Sequence, residues 1–252
     1  EPDGTVLADH AVAMRDGRIV AVLPTAAALA TYTPAELVER PQHAILPGLV
    51  NAHTHAAMTL LRGRAENLAL APWLQDAIAP VERRWVDPEY VRDGTELAIA
   101  EMLRGGVTCF ADMQLLPELV ARAAADAHML VSVGLVVEQA ASRWAADPNE
   151  YIEKGMALRD DYRGDALVAT HFALEPSHAL DDPTLARVRR LADELEIPVA
   201  LPVHESTWEM AESQARHGAR PLDRLLRLGF ASPLLVGVHG AGVSPADIDA
   251  LA

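Results

Sequence analysis

The sequence predicts an α/β fold with a parallel sheet of the (β/α)8 barrel kind, in which about six βα units are present. Three observations carry this. Six apolar runs alternate with helical patterns from residue 44 to the end of the chain, the order that βαβ units impose. Four helical patterns open with an N-cap residue followed by proline, at Asp87-Pro88, Asp147-Pro148, Asp182-Pro183 and Ser244-Pro245. Histidine and acidic residues follow several of the apolar runs, where a parallel barrel holds its functional groups. A full barrel needs eight units and typically about 250 residues for the barrel alone, so six units leave it two strands short.

Taken in order, residues 1–45 differ from the rest. Ala11-Val12-Ala13-Met14 and Ile19-Val20-Ala21-Val22-Leu23 flank Asp16-Gly17, the pattern of a hairpin about a two-residue turn. Residues 26–30 and 34–38 read as short helical or turn segments. A lone hairpin is marginal in water, so this piece needs partner strands, expected upstream. The strand candidates of the second part, 46–252, are 44–50, 107–111, 129–137, 166–170, 199–203 and 234–238. Gly105-Gly106, Gly218 and Gly229 mark helix ends between them. Residues 56–86 make too long a segment for a plain connection and read as a lid or pocket wall.

Composition excludes several classes. The net charge of −15 repels nucleic acid rather than steering it. No apolar stretch approaches the roughly 20 residues that span a bilayer, and no signal peptide opens the chain. Cys109 is the single cysteine, which excludes an intrachain disulfide and fits a reducing compartment. The expectation is a cytoplasmic protein with no membrane or nucleic-acid partner.

The chemistry centres on the run Leu46-Pro47-Gly48-Leu49-Val50-Asn51-Ala52-His53-Thr54-His55. Residues two apart on a strand point the same way, so His53 and His55 can offer two imidazoles to one divalent metal; the plain alternative is a polar pair closing a strand into a loop. Further polar residues follow later strands: Asp112 after the second, His171 after the fourth, His204 and Glu205 after the fifth, His239 after the sixth. Asp112 by itself reads as a cap or turn acid. His10, His43, His128, His178 and His217 fall in loops or on helices and read as ordinary.

The same run, with Met58-Thr59-Leu60-Leu61-Arg62-Gly63, Gly94-Thr95-Glu96-Leu97-Ala98, Gly105-Gly106-Val107-Thr108-Cys109-Phe110-Ala111-Asp112-Met113 and Val203-His204-Glu205, resembles the amidohydrolase superfamily. Within it the likeness is to the 5-methylthioadenosine/S-adenosylhomocysteine deaminases and their chlorohydrolase-like relatives. The resemblance implies a (β/α)8 barrel of the metal-dependent hydrolase type with a small β-sandwich, of which residues 1–45 would be part. It implies a hydrolytic deaminase of 6-aminopurine nucleosides that releases ammonia with a divalent metal, Zn2+ first among candidates. His53 and His55 match the metal pair, Glu205 the proton-shuttling glutamate, and His239 the histidine beside the metal-bound water. His171 matches a substrate-contacting histidine and Glu82 the position that holds the ribose hydroxyls; Trp73 would line the pocket. A small-molecule substrate and a homo-oligomer are the expected partners.

Two departures stand against a working site. The family's third metal histidine corresponds to Pro202, which has no ligand atom, and the family's metal-binding aspartate follows an eighth strand that is absent here. His204 lies two residues beyond Pro202 and is the available substitute, though about 6.6 Å further along the strand. Other readings are a non-catalytic amidohydrolase-like scaffold that has lost its metal site, and a related s-triazine chlorohydrolase or guanine-type aminohydrolase. A doubly wound nucleotide-binding fold is disfavoured, because no G-x-G-x-x-G follows the first strand.

Overall fold

The computed structural model describes residues 4–65 and 67–251. They divide into two compact units, Glu1–Leu46 and Pro47–Ala252.

In the first unit, β1 (His10–Arg15) pairs antiparallel with β2 (Arg18–Pro24). The turn is the expected Asp16-Gly17, with φ of 51° and 72°; two consecutive positive φ values match the twist of a two-residue hairpin. Helix α1 (Thr25–Thr31) follows directly, tied to the hairpin by Thr25 N–H donating to Asp9 O at 2.8 Å. Residues 34–38 form bends rather than a helix. The described part of the expected sandwich is this two-stranded sheet.

The second unit is an all-parallel sheet of six strands in sequence order. These are β3 (Leu49–Thr54), β4 (Val107–Asp112), β5 (Leu130–Val137), β6 (Val168–Leu174), β7 (Val199–Val203) and β8 (Leu235–His239). The helices are α2 (Leu70–Pro72), α3 (Ala79–Trp85), α4 (Pro88–Arg104), α5 (Pro117–Asp126), α6 (Pro148–Asp161), α7 (Asp182–Leu195), α8 (Thr207–His217), α9 (Pro221–Arg227) and α10 (Pro245–Leu251). Alternate residues of each strand pack against the helices: Val131, Val133 and Leu135 of β5, and Val199, Leu201 and Val203 of β7, join one core with Val120, Ile152 and Val188. The opposite face, with Ala200 and Pro202 of β7, lines the barrel interior. This is a partial barrel of the expected type. Both edge strands leave apolar side chains open, Leu49 and Val50 of β3 and Val236 of β8 being 60%, 67% and 40% exposed. No helix among the described residues is long and apolar enough to cross a membrane.

Local signals set the helix starts. Asp87 caps α4 by accepting Tyr90 N–H, and Asp147 caps α6 by accepting Asn149 and Glu150 N–H. At α7 the cap is Asp181, not the expected Asp182; Asp182 lies inside the first turn and binds the buried Arg224 guanidinium. The excursion after β3 runs through a 3-10 turn (Ala56–Leu61), α2 and a π-helical turn (Trp73–Ile78) into α3. Pro80 has no N–H to return to the preceding turn, a reason for the ladder to widen there.

Candidate active site

The strand that carries the histidine pair contains a bulge. Asn51 lies opposite Phe110 and Thr54 opposite Asp112, so β3 spends one residue more than β4 over the same distance. Asn51 reaches the sulfur of Met102 on α4 at 3.9 Å, on the helix side of the sheet. The extra residue re-aims the side chains beyond it and turns His53 inward. The rings of His53 and His55 stand edge to face with centroids 5.1 Å apart. His239, at the end of β8, brings its ring to 5.3 Å from His53. The first and last strands of the sheet therefore approach each other at the mouth, and the sheet is nearly a closed barrel. Glu205 completes the group, its Oε1 lying 3.3 Å from His239 Nε2.

Crowded imidazoles repel a second proton. Burial, then the neighbouring His55 and His239, lowers the pKa of His53 to about 4. His55 keeps an exposed edge, yet the protein packed around it, followed by His239, holds its pKa below the usual range. Both are neutral at pH 7, the form in which imidazole binds a metal.

Asp112 holds the turn that presents His55. It is buried, its Oδ1 accepting Ala56 N–H at 2.7 Å and the Thr54 hydroxyl at 2.9 Å, its Oδ2 accepting Gln114 N–H at 2.8 Å. Burial pushes its pKa up to about 6 against the pull of those bonds. It is the turn acid that its sequence suggested.

Three expectations are corrected. His171 does not follow the fourth barrel strand; β6 extends to Leu174, and His171 lies inside it, opposite Gly134. There it is buried, 2.8 Å from Ser132 Oγ through Nδ1, with a pKa lowered to about 4 by burial and by His53. The residue that follows the strand is Glu175. Second, the first barrel strand begins at Leu49 rather than at 44, since Pro47 offers no ladder donor. Third, His204 does not replace a ligand at Pro202. It takes a left-handed conformation, φ 51°, which breaks the strand alternation and turns the ring away from the mouth. Its Nε2 accepts Leu222 N–H at 3.3 Å, and its Nδ1 lies 3.2 Å from the Arg220 guanidinium and 3.7 Å from Asp247 Oδ2.

Glu82, on α3, is held above its usual pKa by burial and repels Glu138, whose pKa rises to about 7 through burial, then Glu175 and, to a lesser degree, Glu82. The excursion thus reaches the rim at the ends of β5 and β6. Trp73 donates its indole N–H to Arg64 O at 3.2 Å, within the excursion itself. Sequence reasoning missed Ser132, Glu138, Glu175 and Glu209. Only Glu209 had a local signal, as the fourth residue of Ser206-Thr207-Trp208-Glu209, a capping-box pattern.

The amidohydrolase family model matches residues 44–252. The chain belongs to the amidohydrolase family. Among this amidohydrolase's relatives, the 5-methylthioadenosine/S-adenosylhomocysteine deaminases of Teredinibacter turnerae and Saccharophagus degradans are 41% and 39% identical, over 100% and 98% of the chain. A crystal structure of an adenosine deaminase from Xanthomonas campestris with bound zinc superposes with a TM-score of 0.95 at 46% identity, over 98% of this chain. The match takes in 57%, 55% and 56% of those three proteins, so the chain spans a little over half of their length.

Proposed function

We propose that this amidohydrolase is a metal-dependent hydrolytic deaminase of 6-aminopurine nucleosides, taking 5-methylthioadenosine, S-adenosylhomocysteine or adenosine and releasing ammonia. The observation that carries the reading is the contact group of His53, His55, His239 and Glu205 at the barrel mouth, in a chain 39–46% identical to proteins named for those reactions. Glu205 takes one proton from the attacking water and delivers it to the ring nitrogen, then carries the proton left on the new C6 hydroxyl to the departing amine, which leaves as ammonia. His239, in contact with Glu205, orients the water. Glu82 holds the ribose hydroxyls, His171 faces the purine from inside the barrel, and Trp73 lines the excursion. The reading includes a cytoplasmic protein and a homo-oligomer that covers the apolar edges of β3 and β8; sedimentation of the purified chain tests the latter.

A bound zinc ion would supply water with a pKa lowered to roughly 7. The residues fit it only in part. His53 and His55 are neutral and adjacent, but Pro202 offers no ligand, His204 is turned away, and no group of three or more His, Cys, Asp or Glu able to hold a metal ion occurs among the described residues. Catalytic zinc sites keep three protein ligands, and His53 and His55 supply two. This shortfall favours a second reading for the chain as it stands: an amidohydrolase-like scaffold without turnover. Ammonia release from the three nucleosides with and without added zinc separates the two. In a protein that turns over, Glu205→Gln should abolish ammonia release and spare the zinc content. Release undiminished by Glu205→Gln, or none from a protein given histidine at 202 and a completed barrel, refutes the deaminase reading.

A further inference from the structure

The chain leaving β7 turns sharply before α8, and the peptide between His204 and Glu205 is where it does so. The left-handed φ of His204 is disfavoured for a residue with a β-carbon, so the turn needs to be held. Both ends of that one peptide are. Its carbonyl, on His204, accepts Gly242 N–H at 2.8 Å. A β-carbon on Gly242 would stand 3.2 Å from that oxygen and 3.2 Å from Met210 Cε, so the close approach favours glycine. Its N–H, on Glu205, donates to Glu209 Oε2 at 2.6 Å. Gly242 belongs to the loop after His239, and Glu209 to the first turn of α8. The two together clamp the peptide from which Glu205 projects.

Glu209 is the unusual member of the clamp. It is 2% exposed, and its own N–H donates to Ser206 Oγ at 3.1 Å. In an ordinary capping box such a glutamate bonds the N–H of the cap residue; here the cap is Ser206 and the carboxylate reaches one residue further back, to Glu205. Its Oε1 has no hydrogen-bond partner among the described residues. A buried carboxylate left half unpaired costs stability, and the one bond its other oxygen makes, to Glu205 N–H, is short. That bond sets the direction of Glu205, whose carboxylate stands 3.3 Å from His239. We infer that Glu209 is the positioning residue for Glu205. What Glu205 does rests on the deaminase reading; where it points does not.

Two substitutions separate reach from charge. Glu209→Gln keeps the acceptor in place without the charge. Glu209→Asp keeps the charge and withdraws the acceptor by about 1.5 Å, one carbon–carbon bond. The first readout is the imidazole 15N spectrum of this chain, with Glu205→Ala as the reference for His239 deprived of its carboxylate. Glu209→Asp should move the His239 signals toward that reference, and Glu209→Gln should return them to wild type, with His10 and His128 unmoved in both. Should the aspartate variant not fold, Glu209→Ser takes its place. The second readout is ammonia release from adenosine by the zinc-loaded protein: Glu209→Asp should lower kcat by about a hundredfold with KM unchanged, and Glu209→Gln should recover most of it. His239 signals that ignore the shortened side chain, or that move equally in both variants, overturn the inference whatever the assay shows. Absence of ammonia from the wild type bears on turnover by this chain alone, and the spectra then decide on Glu209.

Discussion

Replacing Pro202 with histidine separates a lost metal ligand from a neutral change. Pro202 lies opposite Val238 of β8 and shares the interior face with Ala200. Amides alternate along the strand as side chains do: Val199 N–H bonds Leu234 O on the β8 side, so residues 200 and 202 direct theirs toward β6. The β6–β7 ladder ends at Ala200, and the next donor due on that side is the one proline lacks. Histidine returns it, a gain of about 1 kcal/mol, and gives up proline's restriction of the unfolded chain, about 0.4–1 kcal/mol. Without metal, stability should therefore change by less than about 1 kcal/mol. With zinc, a third imidazole beside His53 and His55 should tighten binding by at least about 10–100-fold. At free zinc of about one hundred times the variant's Kd, the variant gains about 2.7 kcal/mol and the wild type about 0.4–1.4 kcal/mol. Urea unfolding with and without zinc measures both. His53→Ala in the variant should erase the difference, and His204→Ala should not. Equal zinc stabilisation of wild type and variant would refute the placement of residue 202. Loss of the effect in His204→Ala would make His204 the ligand.

Asp112→Ala leaves the buried N–H groups of Ala56 and Gln114 without acceptors, at about 1–3 kcal/mol each; urea unfolding at pH 5, below the Asp112 pKa of about 6, should show a loss of about 2–6 kcal/mol, and a loss under about 1 kcal/mol would show that the turn is held otherwise. A β-carbon at Gly94 would lie 2.5 Å from Ala57 O and 2.7 Å from Ala57 Cα, so Gly94→Ala should destabilise by about 1–3 kcal/mol despite alanine's better helix propensity, and a raised Tm contradicts the α4 packing. His171 has a folded pKa near 4 against 6.5 unfolded, so the unfolded chain takes up a proton that the fold refuses. Stability should fall as pH drops from 6.5 to 4, by up to roughly 3 kcal/mol from this group. Asp112, with a raised pKa, acts in the opposite sense, so the test is the difference between the wild type and His171→Asn, which can keep the bond to Ser132. A pH-independent difference shows that His171 is not refused its proton.

Much of the molecule was legible in the chain. The hairpin about Asp16-Gly17, the caps at Asp87 and Asp147, and the proximity of His53 to His55 are all decided within a few residues. Local backbone geometry and short hydrogen bonds need no distant partner. The alternation of strands and helices survives for the same reason, since each apolar run carries its own periodicity. Even the site's principal weakness, Pro202 in an interior strand position, is visible in the residue type alone.

What the sequence could not decide was settled by partners far along the chain. Asp181 rather than Asp182 caps α7, since Asp182 is drawn to Arg224. The bulge that turns His53 inward exists only relative to β4, and the depth of His171 only relative to β5. His204 is turned out of the site by Gly242, Leu222 and Asp247, none of which its own strand pattern reveals. His239 reaches His53 only because the sheet curls until its two edge strands converge. A side chain's residue type and local periodicity belong to the sequence; its direction at the mouth belongs to the register and curvature of the sheet, which long-range hydrogen bonds and packing fix together.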